Sequence, residues 1–198
     1  MDLIISLAVF FLAIIVHEVA HGWVAYKRGD PTAKFAGRLT LNPLAHIDPF
    51  GTILMPLFLI MARAPFLFGW AKPVPVNFSG LKNPKKDIIL VGAAGPTANI
   101  IIAIMVSLLL RLHIWPLGMF FLLRQFIQLN LTLAVFNLIP VPPLDGSRIV
   151  AGLLPNYLAY QYIKLERYGF LLIYLMVYLG IFHNIVWPIV NILERIIR

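Results

Sequence analysis

Four apolar runs, at residues 3–26, 88–110, 119–139 and 168–192, each approach the roughly 20 residues that a helix needs to cross a bilayer. All four are expected to be transmembrane helices. A fifth run, residues 51–68, is shorter and is interrupted by Pro56, Arg63 and Pro65. Lys27, Arg28, Lys34 and Arg38 precede it, and Lys72, Lys82, Lys85 and Lys86 follow it. Lys and Arg favour the cytoplasmic face, so both clusters belong on one side and the run is expected to enter the membrane and return, as a re-entrant segment. Around it, residues 35–42 (FAGRLTLN) alternate in polarity from Arg38 onward, and residues 72–77 (KPVPVN) alternate Pro with Val. These stretches predict the short strands of a small membrane-associated β-hairpin or sheet, the Pro-bearing one with edge character. Residues 146–167 mix apolar side chains with Arg148, Lys164, Glu166 and Arg167, the pattern of helix lying near the interface. The first run has Asp2 where a signal peptide has its basic region, and it continues through polar residues, so it is read as a retained helix. With no internal repeat and no low-complexity linker, residues 1–198 read as a single integral-membrane domain, all-α and polytopic.

Composition agrees with that pattern: 61% of residues are hydrophobic, 12% are charged, and the mean hydropathy is +0.89. The net charge of +8 lies in short segments between apolar runs. Anionic lipid headgroups account for it, and nucleic acid is not an expected partner. The chain has no cysteine, which excludes disulfides and thiolate chemistry. Any metal must then be held by His, Asp or Glu.

The first apolar run nevertheless carries His17, Glu18 and His21. An ionisable side chain costs roughly 2.5 to 3.5 kcal/mol at bilayer depth, so such groups persist where they have a partner or a task. The three spell H-E-x-x-H. On a helix, residues four apart share a face, so both imidazoles can reach one zinc ion, with Glu18 beside it to take a proton from the attacking water. The plainer alternative is a pair of interior histidines bonded to neighbouring helices. A zinc site of this type needs a third protein ligand. Asp145 is a candidate because Pro140, Pro142 and Pro143 forbid a continuous helix before it, and broken backbone at membrane depth is tolerated where it lines a cavity. The same Pro-rich turn is equally readable as a surface loop. His46 and Asp48 form a rival ligand pair.

The segments HEVAH (17–21), AGPTAN (94–99) and NLIPVPPLDG (137–146) resemble the signatures of the site-2 protease family, the intramembrane zinc metalloproteases of peptidase family M50. The segments HIDPFGT (46–52) and FGWAKPVPVN (68–77) extend the likeness to compact prokaryotic members without PDZ or CBS domains. Relative to larger members, this chain is expected to lack a helix before the H-E-x-x-H helix. The resemblance implies one zinc ion held by His17, His21 and Asp145, Glu18 as general base, and Asn137 as a substrate-binding residue. It implies an endopeptidase that cleaves in or next to transmembrane segments of other proteins, in regulated intramembrane proteolysis. A zinc-binding transporter or sensor and a catalytically silent membrane chaperone are the alternatives. The single ligand cluster and the lack of paired repeats argue against the first, and Glu18 against the second.

Asp145 can meet His21 only if the chain crosses the membrane an even number of times between them. Residues 88–110 and 119–139 supply two crossings, provided residues 51–68 return to the side they entered. The N-terminus is then outside, the site lies toward the cytoplasmic face of a prokaryotic cell membrane, and Arg195 and Arg198 fall outside. Asn99 is expected to bond a neighbouring helix, and residues 35–42 are expected to form an edge that pairs with substrate.

Overall fold

The computed structural model describes residues 3–63 and 69–197. Asp2, residues 64–68 with Pro65, and Arg198 lie outside them, together with the expectations placed there. The chain runs through α1 (Leu3–Lys27), a short α2 (Thr32–Phe35), a 3₁₀ turn (Pro43–His46) and a π turn (Pro49–Leu54) that continues into α3 (Met55–Met61). There follow α4 (Pro84–Leu110), α5 (Leu117–Asn137), α6 (Asp145–Leu153), α7 (Asn156–Ile163), α8 (Gly169–Tyr178) and, after a π turn at Phe182–Val186, α9 (Trp187–Ile197).

Helix α1 from Ile5, α4 and α5 are each long and apolar enough to cross a membrane. α4 is the centre of the bundle, packed by α1, α5 and α6. Its Gly92, Ala94 and Gly95 are buried, and small residues let helix backbones approach closely where lipid removes the hydrophobic drive between helices. Polar bonds tie the same three spans together. Asn99 of α4 donates to Ala13 O of α1 at 3.2 Å and to Asn130 Oδ1 of α5 at 2.7 Å, and both asparagines are fully buried. An apolar cluster of Ala103, Ile127, Leu131, Val135, Val186 and Val190 joins α4 and α5 to the last helix. Large side chains such as Leu12, Trp23, Ile101, Leu108 and Leu171 point outward, as lipid-facing surface does.

Two expectations are corrected. Residues 168–192 are not one straight helix: the axes of 171–178 and 182–197 differ by 66°, and the pair counts as a fourth span only if the bent unit crosses as one. Gly180, at φ +69°, causes the break, because a left-handed residue ends a helix and glycine adopts it without a Cβ clash.

The β-hairpin is also absent, for no strand occurs among the described residues. Residues 35–42 begin in the end of α2. Gly37 has φ +66°, its N–H bonds Lys34 O at 3.0 Å, and the N–H of Arg38 bonds Ala33 O at 2.9 Å. This is a Schellman cap, so the donors expected for a strand close a helix instead. Thr40 O then accepts from His46 Nε2, and Asn42 caps the 3₁₀ turn. Residues 72–77 form no strand, and Pro73 and Pro75 have no N–H to give a ladder. The donors of Lys72, Val74 and Asn77 go to His46 O, Glu18 Oε2 and Asp30 Oδ2.

The apolar helical stretch Pro49–Met61 is about 20 Å long at 1.5 Å per residue, too short for a hydrocarbon core of about 30 Å. Trp70 brings the chain back beside its start. Its N–H donates to Gly51 O at 3.1 Å, and its carbonyl accepts from Thr52 Oγ1 at 2.8 Å.

Candidate metal centre

His17 and His21 sit one turn apart on α1, and Asp145 is the first residue of α6, beyond the break that the prolines enforce after α5. Because α1 and α6 both pack on α4, the three side chains meet. Asp145 Oδ2 lies 2.9 Å from His17 Nε2 and 3.2 Å from His21 Nε2, and the two Nε2 atoms are 3.0 Å apart. Both histidines are buried and Asp145 is nearly so. No other such group of three exists among the described residues.

The outer ring nitrogens fix the tautomers. His21 Nδ1 is 2.6 Å from Val91 O, which can only accept. His17 Nδ1 is 2.6 Å from Asn99 Oδ1, and the Asn99 amide nitrogen is already donating to Ala13 and Asn130, so that oxygen too accepts. Both protons therefore sit on Nδ1, and the Nε2 lone pairs converge with a carboxylate oxygen that has no hydrogen bond of its own. Three electron-rich atoms so close repel one another unless a cation lies among them. The trio fits a zinc ion, with two imidazoles and one carboxylate as ligands and hydrogen-bonded outer nitrogens behind them. A metal at this point would be bound by the carboxylate form of Asp145 and the neutral form of both imidazoles. Gly95 leaves the space: a Cβ there would overlap the ring atoms of His21 and His17.

Glu18 is half-buried beside the trio, and its Oε2 accepts the Val74 N–H at 2.8 Å. Gly22, one turn on, lies against Val74 and Leu39, so the strap at 72–76 crosses α1 at the carboxylate. Asn137 ends α5, with its amide donating to Leu133 O at 3.0 Å inside the same helix. The rival pair belongs to no group of potential metal ligands among the described residues. His46 is buried with Nε2 on Thr40 O, whereas Asp48 Oδ1 accepts from the N–H groups of Phe50 and Gly51 and caps the π turn. Asp30, Asp87, Glu166 and Glu194 are likewise engaged, by the N–H of Asn77, the N–H of Asn83, Arg148 and Arg124 respectively.

The sequence leads one to expect that Asn99 bonds a neighbouring helix, but not that it holds the imidazole of His17. The available signal was an amide in the middle of an apolar span, which needs a partner at that depth. The Val91 carbonyl left no signal at all.

A model of peptidase family M50 matches residues 111–182. The chain is 43% identical to the Bacillus subtilis protein named "Putative zinc metalloprotease YwhC", over 96% of this chain and 85% of that protein. It is 31% identical to "Putative zinc metalloprotease Rip2" of Mycobacterium tuberculosis over 72% of this chain and 54% of that protein. To "Zinc metalloprotease MJ0392" of Methanocaldococcus jannaschii it is 28% identical, over 78% of this chain and 35% of that protein. No solved structure matches it significantly.

Proposed function

The chain belongs to peptidase family M50 and is a zinc metalloprotease of the membrane, and we propose that it cuts peptide bonds in or next to the transmembrane segments of other membrane proteins. The observation that carries this reading is the convergence of His17 and His21 with Asp145, next to Glu18, on α1, a helix long and apolar enough to cross a membrane. A soluble substrate has no need of a site built there. Zinc, when bound, polarises the scissile carbonyl and acidifies the attacking water. His17, His21 and Asp145 hold the ion, while Asn99 and the Val91 carbonyl keep the imidazoles turned toward it. Glu18, steadied by the Val74 amide, takes the proton of the water and passes it to the leaving amine. Asn137, eight positions before Asp145, is assigned to the substrate backbone.

Regulated intramembrane proteolysis in a prokaryotic cell membrane is the process that such a reaction serves. Parity of crossings supports one side for His21 and Asp145, and the Lys and Arg clusters flanking residues 51–68 favour the cytoplasmic one. Between His21 and Asp145 stand α4 and α5, and the stretch Pro49–Met61, too short to cross, returns at Trp70 to where it started.

The test is a zinc assay paired with cleavage of a single-span model protein in detergent. We expect one zinc per chain, cleavage inside or beside the span, loss on chelation and recovery with added zinc. Zinc-dependent cleavage confined to soluble peptides would overturn the assignment of substrate.

A further inference from the structure

Between the N-terminal half of α1 and the returning chain lies a cavity of about 310 Å³, walled by Leu7, Phe11 and Ile14 on one side and Gly51, Trp70 and Ala71 on the other. Small-molecule pockets begin at about that size. Its surface is apolar. The Thr52 hydroxyl that lines it donates to Trp70 O and accepts from the Asp48 N–H, so its one proton is already engaged. The far wall is pinned by the bond from Trp70 to Gly51, where the indole covers the spot a Cβ would fill.

Both walls lead to the catalytic carboxylate. Leu7, Phe11 and Ile14 follow the helical spacing that continues into Glu18 and His21, and Ile14 precedes Glu18 by one turn, about 6 Å. Opposite, Ala71 stands three residues before Val74, the partner of Glu18. Leu7 is about 16 Å from Glu18 along the helix. A substrate unwound for cleavage advances about 3.3 Å per residue and turns alternate side chains to one face.

We infer that this cavity is a substrate side-chain pocket that takes two large apolar side chains, two residues apart, lying about two to five residues from the scissile bond toward the N-terminal end of α1. The inference rests on the reading of the protein as a protease of membrane segments, and names what that site selects. Continuity with the Glu18 turn favours a substrate occupant over a lipid chain.

The probe is a single-span peptide in which one Leu pair, two residues apart, is walked through an Ala background. In the zinc-loaded Glu18→Gln protein, p-benzoylphenylalanine in place of Phe10, whose own aromatic ring already lines the cavity, should crosslink one register of the pair at least about tenfold more than the all-Ala peptide. The same probe at the outward-facing Leu108 should not discriminate. In the active protein, Ala8→Phe should lower kcat/KM for that register about tenfold or more relative to the all-Ala peptide, with zinc content unchanged. Crosslinking only to lipid, or equal crosslinking of all peptides, would overturn the pocket. Register-specific crosslinking without cleavage by the parent protein would keep the pocket and sink the proteolytic reading, whereas cleavage blind to the Leu pair would do the opposite.

Discussion

The backbone N–H of Val74 donates to Oε2 of Glu18 at 2.8 Å, joining residues 56 positions apart. Pro73 and Pro75 flank that donor and have none of their own, so Val74 alone in this triplet can make the bond. A carboxylate that must meet a water in one place gains from being held by a rigid strap.

Val74→Pro removes the donor, while Val74→Ala keeps it. Cleavage by Val74→Pro should fall by up to about 100-fold, the scale of a small misplacement of a catalytic group, with zinc content unchanged. Val74→Ala should stay within a few fold of the parent. Equal rates for the two variants would show that the strap does not position Glu18.

Asn99 bonds His17, Ala13 and Asn130 at once, so it orients the His17 imidazole and ties α1, α4 and α5 together. Asn99→Leu should weaken zinc binding by about 10- to 100-fold in competition with a chelator, as loss of an outer partner of a ligating His does. Zinc affinity equal to that of the parent would remove Asn99 from the metal centre.

Asp145→Ala should empty the protein of zinc as His17→Ala and His21→Ala do, and Asp48→Ala should not, since Asp48 is spent on capping the π turn. Metal analysis with the reverse pattern would restore the rival ligand pair.

The H-E-x-x-H face was legible because its geometry is set within one turn of one helix. The break before Asp145 was legible because proline acts locally. His17 and Asn99 lie 82 positions apart, and only the packing of α1 on α4 brings them together. Polarity alternation over residues 38–42 misled because periodicity does not register which carbonyl a donor reaches, and here Gly37 turns the Arg38 donor back onto α2. Gly180 was read through for a similar reason: an apolar run scores as a span whether or not one of its glycines has turned left-handed.

The return of the chain from Gly51 to Trp70 predicts that cysteines placed at Lys34 and Lys82, in a chain with none of its own, are labelled from the same face by an impermeant reagent. Labelling from opposite faces would make the stretch between them a true crossing. The parity that lets Asp145 meet His21 would then be lost.

Glu18→Gln, with zinc and turnover measured on the same preparation, bears most directly on the claim that this cluster is a catalytic site. Glu18 is no ligand in the trio, so the variant should keep its zinc, while cleavage of the single-span protein should fall by at least about 10² to 10⁴, as for a lost general base. Full zinc occupancy with near-parental turnover would contradict it.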